Sequence, residues 1–307
     1  HVDLLEMQQL PSNDDVTILT QGHKDYKKNI LERREIGPFP GYYELIEPVD
    51  TVEGRQNQPE QLADFVKWGM EKYPSKKTCL VISGLSGGSN GMIVDEKDGL
   101  MFLADIRKGL RAGLDGKELD ILAFDGHWMA CIEAAAEFQG TAGLMVASQG
   151  RSQTWDYEKH LGRLVNESDL DAATLADHFV STDQGDTGMS VLRLDEVPNL
   201  LQHTETLFQA VQDNGLSESM MEESESVAHF KDFHSVVKRF TKTDLPKAVR
   251  AAALETQNAL DSLAVKHHSQ PEYHTSGVSI ATFYDEPEDG QAFREATSWD
   301  EFLTLAA

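Results

Sequence analysis

The sequence predicts an α/β protein with a doubly wound, mostly parallel sheet flanked by helices. Three observations predict it. The runs CLVIS (79–83), LDILAF (119–124) and LMVAS (144–148) are continuous apolar stretches of strand length, the pattern of strands buried on both faces. Each of the first two is followed by a segment with helical periodicity. The connections between them are short, as βαβ units require.

Taken in order, residues 1–14 read as an irregular polar N-terminal tail, and 15–307 as a single domain. VTILT (16–20) is β-rich and is followed by charged turn material; 41–49 is a second extended segment. Leu62, Phe65, Val66 and Met70 recur at helical spacing over 59–73. Pro59 suits the first turn of that helix, and Pro74 ends it. After CLVIS come a helix over 103–114, the strand 119–124, a helix over 127–138 and the strand 144–148. A helical insertion is expected over about 166–270, with helices near 171–181, 192–213, 225–240 and 245–267. Residues 277–283 return to strand, and Thr297 or Ser298 caps a last helix with Asp300 and Glu301 in its first turn.

Composition narrows the function classes. The 307 residues are 40% hydrophobic and carry 27 basic against 52 acidic side chains, a formal charge of −25. That field repels nucleic acid and anionic membrane surfaces and favours cationic partners. Two cysteines, Cys79 and Cys131, exclude a disulfide scaffold and match no zinc spacing. No apolar run approaches a membrane span. The chain begins at His1 rather than Met, so removal of an N-terminal segment is expected, and the compartment stays open.

In an open parallel sheet, chemistry sits at the carboxyl ends of the strands. One such end is SGLSGGSNG (83–91), where Gly84, Gly87 and Gly88 allow close backbone approach and amides can face an oxyanion. It lacks the Gly-Lys-Ser/Thr ending of a phosphate loop. The other is FDGHWMACIE (124–133). Expected at the start of a helix, His127 gains no activation there, since the positive helix end disfavours its cation. Cys131, one turn on, reads as a small buried residue, and so does Cys79. A metal site from Asp125 and His127 lacks ligands, and His267-His268 reads as a surface feature. Asp95, Glu96 and Asp98 form an acidic turn without the spacing of an EF-hand loop. No cofactor is expected from these residues.

Ordered segments carry a family resemblance. Residues 58–74 resemble the helix ending in Tyr-Pro of the clostripain-like cysteine peptidases, in the caspase–gingipain clan. LVISGLSGG (80–88) falls on that family's strand and His-Gly-x-Gly loop. FDGHWMACIEAAAEF (124–138) falls on its Phe-Asp-Ala-Cys-Leu-Met-x-x-x-Glu-x-x-x-Glu motif. ASQGRSQTWDYEKHL (147–161), GVSIATFYDEP (277–287) and ATSWDEFLTL (296–305) resemble its later segments. The resemblance implies a caspase-like fold and a calcium option, with the turn of Asp95, Glu96 and Asp98 as its candidate.

It also implies a missing dyad: the family's histidine falls on Leu85 and its nucleophilic cysteine on His127. Leucine moves no proton, and a neutral imidazole is a poor acyl-transfer nucleophile. Asp125 is kept, and with Asp156 it is the candidate for a pocket that holds Arg or Lys; Gly84, Ser86, Gly87 and Ser148 complete the expected binding residues. The leading expectation is a pseudopeptidase acting as a binding, regulatory or scaffold protein. Its partner is a protein or peptide, with basic segments favoured, or an active relative or larger assembly. The alternatives are a peptidase with relocated nucleophile, Ser86 or Cys131, cleaving after Arg or Lys, and a structural protein whose cleft is filled by Leu85 and Trp128. The resemblance admits a secreted or periplasmic setting. Without its own nucleophile the chain is expected to stay uncut.

Overall fold

The computed structural model describes the chain except residues 1, 11–12, 26–29, 38–41, 50–56, 94–98, 153–154, 183–187, 269–274, 285–288 and 305–307. The acidic turn with Asp95, Glu96 and Asp98 therefore lies outside the described residues.

The chain opens with helix α1 (Val2–Met7), then a three-stranded antiparallel sheet of β1 (Leu19–Asp25), β2 (Ile30–Ile36) and β3 (Tyr43–Val49) in that order. Two sequence expectations change here. Part of the segment read as irregular is helical, with Leu10 buried behind α1. The segment read as charged turn is β2. Its apolar signal is weak because Glu32, Arg33 and Arg34 are themselves buried. Arg33 reaches Asp64 at 2.6 Å and lies 4.8 Å from the centre of the Trp68 ring, so its charge is paired rather than solvated.

Asp64 and Trp68 belong to α2 (Pro59–Lys72), which carries Pro59 in its first turn. Strand β4 (Cys79–Ser83) follows, then the short hairpin β5 (Leu85–Ser86) and β6 (Met92–Ile93). Helix α3 (Leu103–Leu114) crosses α2 closely, because a Cβ on Gly109 or Gly113 would come within 2.7 Å of Pro59 or 2.6 Å of Ala63 carbonyl oxygen. Then come β7 (Leu119–Asp125), α4 (Ile132–Glu137), β8 (Ala142–Ser148), α5 (Tyr157–Asn166) and α6 (Ala172–Thr182). The remainder is β9 (Met189–Arg193), α7 (Val197–Asp213), β10 (Ser226–Val227), β11 (Phe230–Asp232), α8 (Phe233–Arg239), α9 (Lys247–Leu263), β12 (Ala264–His268), β13 (Ser279–Ala281), α10 (Gln291–Ala296) and α11 (Trp299–Thr304).

The central sheet runs β12-β9-β8-β7-β4. Strands β4, β7 and β8 are parallel, and β9 and β12 add antiparallel on one side. Side chains alternate between two cores, as strand geometry demands. Leu122, Phe124, Met145, Ala147 and Leu192 face α3, α4, α7 and α9. Ile121, Ala123, Val146, Met189 and Val191 face Trp155, Tyr157 and α6. Helices on both faces of a mixed sheet meet the α/β expectation. The stretch expected to be wholly helical nevertheless supplies β9, β10, β11 and β12. All four are five residues or fewer, too short to show against the helical periodicity beside them, and α8 starts only at Phe233. The closing strand, β13, joins the small sheet β10-β11-β13 rather than the central one, and bridges Cys131 through Ser279.

Candidate functional site

The carboxyl ends of β4 and β7 converge, because the parallel pairing sets Ser83 beside Asp125. Gly84 extends this contact by donating its amide to the Asp125 carbonyl at 3.1 Å. The chain then turns into β5. Leu85 stands 54% exposed, while Ser86 turns inward and donates its hydroxyl to the His127 carbonyl at 2.7 Å. A Cβ placed on Gly126 would lie 2.4 Å from Ser86 Oγ, so the serine hydroxyl fills the space that a side chain at 126 would need.

His127 is not at a helix start. Helix α4 begins five residues later, and residues 126–131 form an irregular link in which Trp128 adopts φ +58°. The link is fixed by backbone bonds: Trp128 donates to Gly150 and Ala130 to Ser148, each at 2.9 Å. The helical periodicity of 127–138 misled because this link is apolar and buried without being helical. Gly88, with φ +65°, closes the other side: a Cβ there would meet the Phe230 ring at 2.5 Å and the Trp128 carbonyl oxygen at 2.9 Å.

The imidazole of His127 is half-buried, and its Nδ1 accepts the Ser152 amide at 3.0 Å. The proton is therefore on Nε2. Burial, and then the positive charge of Arg151, hold its pKa below the usual histidine range, so the ring is neutral at pH 7. Trp128 packs edge-on against it at 5.3 Å. Ser86 bonds the backbone of His127 rather than the ring, so the two do not form a serine–histidine dyad.

Cys131 is the N-cap of α4, not a residue one turn inside it, and is completely buried. Burial and the neighbouring Glu133 push its thiol well above the normal range, which keeps it protonated and unreactive. Cys79 departs from its expected burial: it is exposed, because β4 is the edge strand of the central sheet.

Asp125 is buried, with its carboxylate accepting from Ser83 Oγ at 3.1 Å and from Tyr157 Oη at 3.0 Å. Asp156 is exposed and caps α5, accepting the Lys159 amide at 3.0 Å. The two acids thus differ in setting, one buried and one exposed. Ser148 also points inward, donating to the carbonyls of Gly188 at 3.0 Å and Gly150 at 3.2 Å. Gly87 gives its amide to the Gly91 carbonyl at 3.0 Å, closing the glycine turn.

Other groups escape a reading by motif. Buried Gln149 bridges β8 to Asp232 at 2.9 Å and to the Gly277 amide at 2.8 Å, and Asp232 also receives Ser235 and Ser276. His267, expected on the surface, is half-buried between Ser190 Oγ at 2.9 Å and Thr275 Oγ1 at 3.1 Å. His160 is enclosed by Trp155 and Phe179, and burial lowers its pKa to about 4. Arg151 and Ser152, which set the state of His127, were visible only as the polar loop after β8. Among the described residues, no three metal-ligating side chains gather, and no helix is long and apolar enough to cross a membrane.

The sequence model of the clostripain family matches residues 2–249. No curated protein sequence matches the chain. Solved structures share its fold, among them two C11 proteases. A secreted C11 cysteine protease from Bacteroides thetaiotaomicron aligns with a TM-score of 0.71 at 14% identity, covering 98% of this chain and 91% of that one. An inactive zymogen C11 protease from Parabacteroides distasonis aligns with a TM-score of 0.71 at 15% identity, covering 98% and 92%.

Proposed function

The chain belongs to the clostripain family, and we propose that it works there by binding, with the peptidase chemistry lost. One observation carries this reading. Where the resemblance puts a histidine and a cysteine stand an exposed leucine, Leu85, and a histidine, His127, whose Nδ1 is tied to the Ser152 amide. Neither supplies a nucleophile or moves a proton from one.

A paired change beside them supports it. The family motifs carry glycine after the histidine and alanine before the cysteine; this chain has Ser86 and Gly126. The Ser86 hydroxyl takes up the room a Gly126 side chain would need. The two loops have been refitted around a different pair of residues. Relocated chemistry has little support: Ser86 is bound to a carbonyl, and Cys131 is fully buried and held protonated. A partner peptide is the natural occupant of the old cleft, and a secreted relative of the same fold favours a secreted setting. The chain should remain uncut in a protease-free preparation.

Restoration tests the reading. Leu85→His with His127→Cys, and the same pair combined with Ser86→Gly and Gly126→Ala, are assayed on fluorogenic Arg and Lys peptides beside the parent. Activity in the fourfold variant and none in the parent is the expected result. Turnover by the parent would sink the proposal.

A further inference from the structure

Helix α4 and the stretch 279–284 meet around one carboxyl group. Glu133 is fully buried, and its Oε1 accepts both the Ala281 amide at 2.8 Å and the Tyr284 hydroxyl at 3.1 Å. Its Oε2 is buried as well and has no hydrogen-bond partner among the described residues. The chain closes over the same side chain once more, since a Cβ on Gly290 would come within 2.7 Å of Glu133 Cγ. Cys131 faces the carboxyl from the link and Tyr284 from the C-terminal side, and both are neutral. Arg294 stacks on the Tyr284 ring at 4.6 Å, but its Nε is bound to Asp300 at 2.6 Å. Glu137, one turn along α4, has Arg107 at 3.0 Å, and Asp289 beside Gly290 is a further buried acid. No described cation pairs with Glu133 itself. A buried carboxylate held this way is costly, and its protonated form much less so.

We propose that Glu133 is an acid-tightened clasp: protonated, it holds 279–284 on α4, and ionised, it lets that stretch open while the central sheet stays folded. Burial raises its pKa to about 7 in the closed form, against 4.5 for the solvated group. The closed form therefore holds the proton more tightly. The clasp is tightest below pH 4.5, loosens as pH rises to 7, and changes little above that. Opening reaches the candidate site, because Ser279 donates its amide to the Ala130 carbonyl at 2.9 Å and bridges Cys131. The stretch thus backs the link that carries His127. The clasp is a property of the fold and stands apart from the binding reading.

Hydrogen exchange of the full chain, read by mass spectrometry and corrected for the intrinsic pH dependence of amide exchange, tests it. Protection of 279–284 is expected to fall about tenfold or more from pH 5 to pH 7.5, since one pKa unit is a factor of ten. It should lie at least about tenfold below the protection of β7 at each pH, the mark of an opening smaller than global unfolding. Glu133→Gln should remove the pH dependence. Tyr284→Phe, which keeps the acid and removes a donor that favours its charged form, should carry the fall above pH 7 and serves if the glutamine variant does not fold. Protection in the parent that does not change with pH would overturn the clasp. So would protection of 279–284 equal to that of β7, or a fall that persists in Glu133→Gln or stays in place in Tyr284→Phe.

Discussion

Helix α4 and the link that leads into it are neighbours in sequence and opposite in what they hold. The helix carries two buried glutamates that secure the C-terminal segment. Glu133 accepts the Ala281 amide at 2.8 Å and the Tyr284 hydroxyl at 3.1 Å. Glu137 accepts the Ala292 amide at 3.1 Å, and its other oxygen lies 3.0 Å from Arg107 Nε in an ion pair without hydrogen-bond alignment. Both glutamates fall on the acidic positions of the family motif. The link carries His127, and the neighbouring β5 carries Leu85, the two positions where the chain departs from the motif. The scaffold residues are buried and multiply bonded; the departed residues are exposed or half-exposed and lightly bonded. The proposed loss of cleavage predicts such a division, with constraint kept on the fold and released at the site.

The largest effect should come from breaking the scaffold side. Glu137→Ala leaves the Ala292 amide without its acceptor and the partly exposed Arg107 without its counter-charge, a loss of about 3 kcal/mol, the low end for removing one member of a buried pair. Chemical denaturation should show that loss, whereas His127→Ala should cost under about 1 kcal/mol, since its ring is only half-buried. Equal losses in the two variants would erase the contrast.

Glu133 gives the comparison a pH dependence. Burial raises its pKa from 4.5 to about 7, so the folded state holds a proton that the unfolded chain releases earlier. Between those values the native state binds more protons, and stability falls as pH rises. The loss approaches about 3 kcal/mol above pH 7, from roughly 1.4 kcal/mol per pKa unit. Cys131 and Tyr284 face the same carboxyl, and both stay neutral across this range. Glu133→Gln should flatten the profile between pH 4.5 and 7 and leave the acid-side stability unchanged. A parent whose denaturation midpoint does not move over that window would remove the claim.

A mutant cycle over Ser86 and Gly126 sharpens the boundary between the regions. Gly126→Ala alone forces a methyl against Ser86 Oγ, an overpacking cost of about 1–3 kcal/mol. Ser86→Gly alone loses the bond to the His127 carbonyl, about 1 kcal/mol. The double variant should cost less than the sum, with a coupling of at least about 0.5 kcal/mol. Strict additivity would mean that the two loops do not share this space.

Much of this was legible in the chain. The apolar runs at 79–83, 119–124 and 144–148 are β4, β7 and β8, because strands buried on both faces cannot hide their composition. Helices α2 and α3 were equally plain from period and proline. Strand β2 was not, since its buried residues include paired charges, and β9 and β12 were lost beside long helices. At the site, the motif positions of Leu85, Ser86, Gly126 and His127 could be read, but their contacts could not. That Ser152 fixes the His127 ring is a contact across 25 positions, set by the turn after β8, and no local pattern encodes it.

Leu85 offers the smallest effect and the plainest test of the division. Among the described residues it pairs through the short β5–β6 hairpin, and it is more than half exposed. Leu85→Ser should therefore change stability by no more than about 0.5 kcal/mol. Under the binding proposal, a leucine that contributes so little to the fold is better understood as contact surface than as support. If Leu85→Ser instead cost about 2 kcal/mol in denaturation, Leu85 would belong with Glu133 and Glu137. Leucine at this motif position would then serve the scaffold, and it would no longer support the proposed binding face.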